Sequence, residues 1–144
     1  MALATGNSGN TGPAPPPASK RILVVEDSGF YRRALELTLR NRGFEVLTAL
    51  DGYAAATQLQ QGKFDLVLMD LFVPKMNGMA LLRMLRSNPE SQTTPVIVLS
   101  SHKDPKDMEV IRSLGVKRIL CKTDAQFPEL TAVLDKYIAE DLSA

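Results

Sequence analysis

Four separated places in the chain carry side chains that could do chemistry together. They are the acid pair Glu26-Asp27, the acid Asp70, the hydroxyl pair Ser100-Ser101, and Lys122. Each stands at the end of a short apolar run: Ile22 to Val25, Leu66 to Met69, Val96 to Leu99, and Val116 to Cys121. Three carboxylates gathered at one point repel, and each raises the pKa of the others. A hard divalent cation with oxygen ligands offsets that cost. Mg2+ needs few protein carboxylates, keeps waters and works with phosphate groups, and a lysine supplies a point charge for the same phosphate. The set points to phosphate chemistry assisted by Mg2+, with Mn2+ as the alternative ion. Taken singly, an acid at a strand end is ordinarily a turn residue or helix cap, and a lone lysine is ordinarily solvated. The conjunction carries the reading.

Positioning such groups requires a sheet. The continuous apolar runs at Ile22, Leu66 and Val96 read as parallel strands covered on both faces. Glu45 to Leu50 and Val116 to Cys121 are less pure and read as strands nearer the edges. Segments of helical period lie between. Tyr31, Leu35 and Leu39 recur every four residues, Arg32, Arg33, Glu36 and Arg40 take the other face, and Gly43 supplies a stop. Asp51-Gly52 opens a second helix, Asn77-Gly78 precedes a third, and Asp104-Pro105 starts a fourth that Gly115 ends. A fifth carries Leu130, Val133, Leu134, Tyr137 and Ile138. Strand and helix alternate five times, which predicts a single doubly wound α/β domain with a five-stranded parallel sheet. Ligands of such sheets bind beyond the carboxyl ends of the strands, where strand order reverses. The four polar groups would meet there.

Composition sets the bounds. The chain has 144 residues, 44% hydrophobic and 23% charged, as expected for one globular domain. Lys and Arg number 17 against 16 Asp and Glu, a net charge of +1. That balance predicts neither direct nucleic-acid binding nor a membrane-steered surface. One Cys excludes an internal disulfide and a Cys-rich zinc site, and one His excludes a multi-histidine metal site. No apolar run is long enough for a membrane span, and no secretory signal opens the chain, so a cytoplasmic location is expected. Residues 1–19 are rich in Pro, Gly and Ala and read as a flexible tail or linker, with the globular domain over 20–142.

The sequence resembles the receiver domain of two-component response regulators over about residues 20–142. The resemblance rests on Ile22-Leu23-Val24-Val25-Glu26-Asp27 with Ser28; Asp65 to Asp70 with Pro74 and Gly78; Thr94 to Ser101; and Ile119-Leu120-Cys121-Lys122, in that order and at these spacings. It implies a flavodoxin-like (βα)5 fold of strand order 2-1-3-4-5. It implies a signalling domain that catalyses only its own phosphorylation and dephosphorylation. Asp70 would accept a phosphoryl group from the phosphohistidine of a sensor histidine kinase or a phosphotransfer protein. Asp27 and Asp70 would ligate Mg2+ directly, Glu26 mainly through a water, and Phe72 through its main-chain carbonyl. Lys122 would neutralise phosphoryl oxygens, and Ser100 would donate its hydroxyl and sense the modification. Ser101 would leave room, and Pro74 and Gly78 would shape the loop after the nucleophile. The fourth and fifth helices would bind a downstream protein, serve an output domain outside this chain, or pair two copies.

Four positions depart from the family's common form. Thr123 stands where a proline usually follows the lysine, often after a cis bond. A cis bond before a non-proline residue costs about 3 kcal/mol, which predicts either a trans bond with a repositioned Lys122 or a strained cis bond. Ile119 stands at the switch aromatic, so the coupling from Ser100 to the helices is expected to differ. Phe72 and His102 flank the phosphoryl position as bulky rings, which predicts slow self-dephosphorylation. Other readings compete. A pseudo-receiver would keep the fold as a binding module without phosphorylation, but the acids, Ser100 and Lys122 are intact. A hydrolase of the haloacid dehalogenase type needs a second Asp at position 72, which is Phe. A flavodoxin-like cofactor binder needs a phosphate-cradling loop where Glu26-Asp27 would repel a phosphate.

Overall fold

A computed structural model describes residues 20–71, 78–100, 104–116, 118–122, 132 and 135–140. Its elements alternate: β1 (Arg21–Val25), α1 (Gly29–Asn41), β2 (Glu45–Ala49), α2 (Gly52–Gln61), β3 (Leu66–Asp70), α3 (Gly78–Ser87), β4 (Val96–Ser100), α4 (Pro105–Ser113) and β5 (Arg118–Cys121). Residues 135–140 are also helical. The strands form one parallel sheet of order β2-β1-β3-β4-β5. This is the topology that the alternating pattern predicts. The two less apolar runs are the edge strands, because only β1, β3 and β4 are paired on both sides and covered on both faces.

Side chains alternate along each strand, and the core divides accordingly. Leu23, Val25, Val67, Met69, Val96 and Val98 pack against Ala55 of α2, Leu81, Leu82 and Leu85 of α3, and Ile111 of α4. Ile22, Val24, Leu66, Leu68, Ile97, Leu99 and Leu120 pack on the opposite face with Leu35 and Leu39 of α1 and with Ile138. Leu35 and Leu39 of the stripe predicted for α1 are therefore buried, as are Leu81, Leu82 and Leu85 of α3.

The helix starts follow local chemistry. Ser28 accepts from the Tyr31 N–H, Asp51 from the Ala54 N–H at 2.8 Å, and Asp104 from the Lys106 N–H at 2.9 Å, with Pro105 opening α4. Gly43 and Gly115 follow α1 and α4 at φ of 91° and 84°, the left-handed region where a glycine ends a helix without strain. β3 and β4 each run one residue past their apolar stretch, so Asp70 and Ser100 are strand residues. The tail 1–19 and residues Phe72, Pro74, Ser101, His102 and Thr123 lie outside the described residues.

Candidate functional site

Strand alternation decides which polar groups can meet. Glu26 continues the phase of Ile22 and Val24, Asp70 that of Leu66 and Leu68, and Lys122 that of Leu120. All three therefore fall on the α1 face at the carboxyl ends of β1, β3 and β5. The backbone there is pinned: the Glu26 N–H donates to the Ala49 carbonyl at 3.0 Å, and the Lys122 N–H to the Ser100 carbonyl at 2.9 Å.

The side chains close the arrangement. Lys122 Nζ donates to Glu26 Oε1 at 2.8 Å and to Asp70 Oδ2 at 3.1 Å. Glu26 is fully buried, and its Oε2 accepts the Ser28 N–H at 3.0 Å. Asp70 is 7% exposed. The Arg32 guanidinium donates to the carbonyls of Glu26 at 3.0 Å and Asp27 at 3.2 Å, tying the acid pair to the first turn of α1. Lys122 Nζ also lies 4.5 Å from the centroid of the Tyr31 ring.

Burial pushes the Glu26 carboxyl above its ordinary value, against the pull of the Lys122 hydrogen bond and the Ser28 N–H. Burial draws Lys122 the other way, but hydrogen bonds and charge from Glu26 and Asp70 prevail and hold it above its usual range. The lysine is thus a firm cation.

One carboxylate oxygen each from Glu26, Asp27 and Asp70 lies within 4.8 Å of the others. Two of these acids are buried and Asp27 is exposed. The donor set is all oxygen and anionic, which suits a hard divalent cation of the Mg2+ or Mn2+ type. Repulsion among acids so close, and the desolvation of Glu26, are what such an ion would relieve. The residues present fit it.

The sequence profile of the response regulator receiver domain matches residues 22–135. The chain belongs to this family. The receiver domain is 34% identical over 122 residues to a gliding motility regulatory protein of Myxococcus xanthus, covering 83% of this chain but only 16% of that protein. Among solved structures, the phosphorylated cyanobacterial phytochrome response regulator RcpA is 30% identical with a TM-score of 0.80, over 88% of this chain and 96% of that one. The Mn(2+)-bound form of response regulator Rcp1 is 29% identical with a TM-score of 0.75, over 83% and 92%.

In this receiver domain the predicted residues do not all share one face. Ser100 is buried and follows Val96 and Val98 in strand phase, which places it on the face of α2, α3 and α4. Ile119 is partly buried against the same cluster, and its neighbour across the ladder is Val98. Gly78 opens α3 where its N–H donates to the Leu71 carbonyl at 2.9 Å. A Cβ there would meet Leu71 Cα at 2.5 Å, so only glycine fits that approach. Tyr31 and Arg32 are site residues that the periodicity reading missed. It placed Tyr31 in a packing stripe and Arg32 on a solvated face. The available signal was their place in the first turn of the helix that begins directly after Asp27.

Proposed function

We propose that this receiver domain is a phosphoacceptor switch in which Asp70 takes a phosphoryl group from the phosphohistidine of a sensor histidine kinase or a phosphotransfer protein. The observation that carries the reading is the Lys122 ammonium, which crosses from edge strand β5 to reach both Asp70 and Glu26. In the reaction an Asp70 carboxylate oxygen bonds to phosphorus as the N–P bond of phosphohistidine breaks. The imidazole leaves and an acyl phosphate remains. The transition state is loose, so catalysis is mostly positioning and charge stabilisation. Lys122 stands beside the nucleophile to neutralise phosphoryl oxygens. Glu26, Asp27, Asp70 and the Phe72 main-chain carbonyl would hold Mg2+, or Mn2+, which when bound supplies Lewis-acid charge for the same oxygens.

Ser100 would donate its hydroxyl to a phosphoryl oxygen and report the modification to Ile119 and α4. Ser101 would leave room for the phosphoryl group, Pro74 and Gly78 would set the loop after Asp70, and Phe72 and His102 would shield the acyl phosphate. A downstream protein, or an output domain elsewhere, would read α4. The phosphorylated state of RcpA and the bound Mn2+ of Rcp1 support this reading by similarity. The test is labelling by radioactive acetyl phosphate with Mg2+, comparing wild type with Asp70→Asn. Acid-stable retention of label in the variant, or none in wild type, overturns it. The second result would leave a pseudo-receiver that binds without being phosphorylated.

A further inference from the structure

We propose that Tyr31 is a positioning residue for Lys122, its ring holding the ammonium at the site when a cation and a phosphoryl group take over the carboxylates. The inference rests on the phosphoacceptor reading above. Lys122 belongs to the end of β5, whereas Glu26 follows β1, and β3 and β4 lie between them in the sheet. The lysine stem that reaches out to meet Glu26 has several rotatable bonds and must be restrained. In the structure three contacts restrain it: Glu26 Oε1, Asp70 Oδ2 and the Tyr31 ring.

Two of the three are conditional. Glu26 and Asp70 also belong to the acid cluster that fits a divalent ion. An ion bound there competes with the ammonium for the same oxygens, and phosphorylation changes the charge of Asp70 itself. The Tyr31 ring is no part of that exchange. Its negative face attracts the ammonium whatever the carboxylates are doing. Shielding strengthens the attraction, since the Lys122 side chain is only 11% exposed.

The ring is itself a fixed platform. Tyr31 lies in the first turn of α1, where the Ser28 hydroxyl accepts its N–H at 3.4 Å. Its side chain packs on the α1-face core. Phe30 meets it edge-on, with centroids 5.5 Å apart and planes at 82°.

The experiment compares Tyr31→Phe, which keeps the aromatic face, with Tyr31→Leu and Tyr31→Met, which keep apolar bulk without it. Two readouts are taken at saturating Mg2+: the upfield ring-current shift of the Lys122 ε-methylene protons, and the rate of labelling by acetyl phosphate. The shift should persist in wild type and Tyr31→Phe and vanish in both aliphatic variants. Their labelling rate should fall about three- to tenfold while Tyr31→Phe stays near wild type. Mg2+ affinity should be unchanged within about twofold in all of them, because the ring touches no ligand. Loss of the shift when Mg2+ is added to wild type overturns the proposal. So does an aliphatic variant that labels at the wild-type rate, or Tyr31→Phe falling as far as Tyr31→Leu. Failure of wild type to label overturns the phosphoacceptor reading, and the positioning role with it, while the shift still reports whether ring and ammonium meet.

Discussion

Glu26 and Lys122 lie at the ends of two strands that are not neighbours in the sheet, yet Lys122 Nζ stands 2.8 Å from Glu26 Oε1. Glu26 is fully buried, so the lysine is its main compensation. Removing one partner of such a pair leaves an uncompensated charge. Lys122→Met should therefore destabilise the fold by about 3–5 kcal/mol in metal-free buffer. Mg2+ should restore much of that loss, because an ion that binds only the folded state stabilises it. Urea melts with and without Mg2+ measure both effects. Equal destabilisation in the two buffers would contradict the shared role of the carboxylates.

The raised pKa of Glu26 sets a pH window. Its folded value lies above the ordinary 4.5, because burial disfavours the charged form. The protonated form is therefore favoured in the fold. The stability that this contributes is present below 4.5 and lost as pH rises through the folded value. Cation binding needs the ionised form, so the sign reverses for Mg2+. Affinity should be full above the folded value and fall by about tenfold per pH unit below it. Glu26→Gln should flatten that part of the profile. Calorimetric titration of Mg2+ between mildly acidic and neutral pH checks it.

Gly78 is predicted to be intolerant of any side chain. A Cβ would lie 2.5 Å from Leu71 Cα and 2.7 Å from the Leu71 carbonyl oxygen, both backbone atoms. Gly78→Ala should cost about 1–3 kcal/mol, the range for overpacking. It should also slow labelling, because Leu71 directly follows Asp70, the proposed nucleophile. A variant as stable and as fast as wild type would refute the close approach.

Arg86 should matter for stability alone. Its Nε donates to the Leu114 carbonyl at 2.6 Å, and one terminal nitrogen to those of Thr94 at 2.7 Å and Ser91 at 3.3 Å. It joins the end of α3 to the approach to β4 and the end of α4. Arg86→Met should cost about 2–3 kcal/mol, because these carbonyls lose a charged donor. The labelling rate per folded molecule should not change, since these carbonyls lie at the amino-terminal side of the sheet.

Much of this was readable in the sequence for a physical reason. Strands covered on both faces must be apolar without interruption, so Ile22–Val25, Leu66–Met69 and Val96–Leu99 announced themselves, and the mixed runs fell to the edges. Polar residues that end such strands have one place to go, which is how Asp70 and Lys122 could be brought together. The structure adds to the expectation for Glu26. The resemblance implied action on an ion mainly through water, and in the structure both of its oxygens also accept from protein donors, Lys122 and the Ser28 N–H. Backbone donors leave no trace in residue types. The contact between Tyr31 and Lys122 was equally hidden. A ring in phase with Leu35 and Leu39 looks like packing, and only the reach of a distant lysine gives it a second use.

The phase of the strands has one more consequence. Acid and ammonium occupy one side of the sheet, whereas Ser100 and Ile119 follow the phase of the other. A hydroxyl and a carboxylate of opposite phase can approach each other only over the carboxyl rim of the sheet, so that rim is where a change at the acids would be felt on the other face.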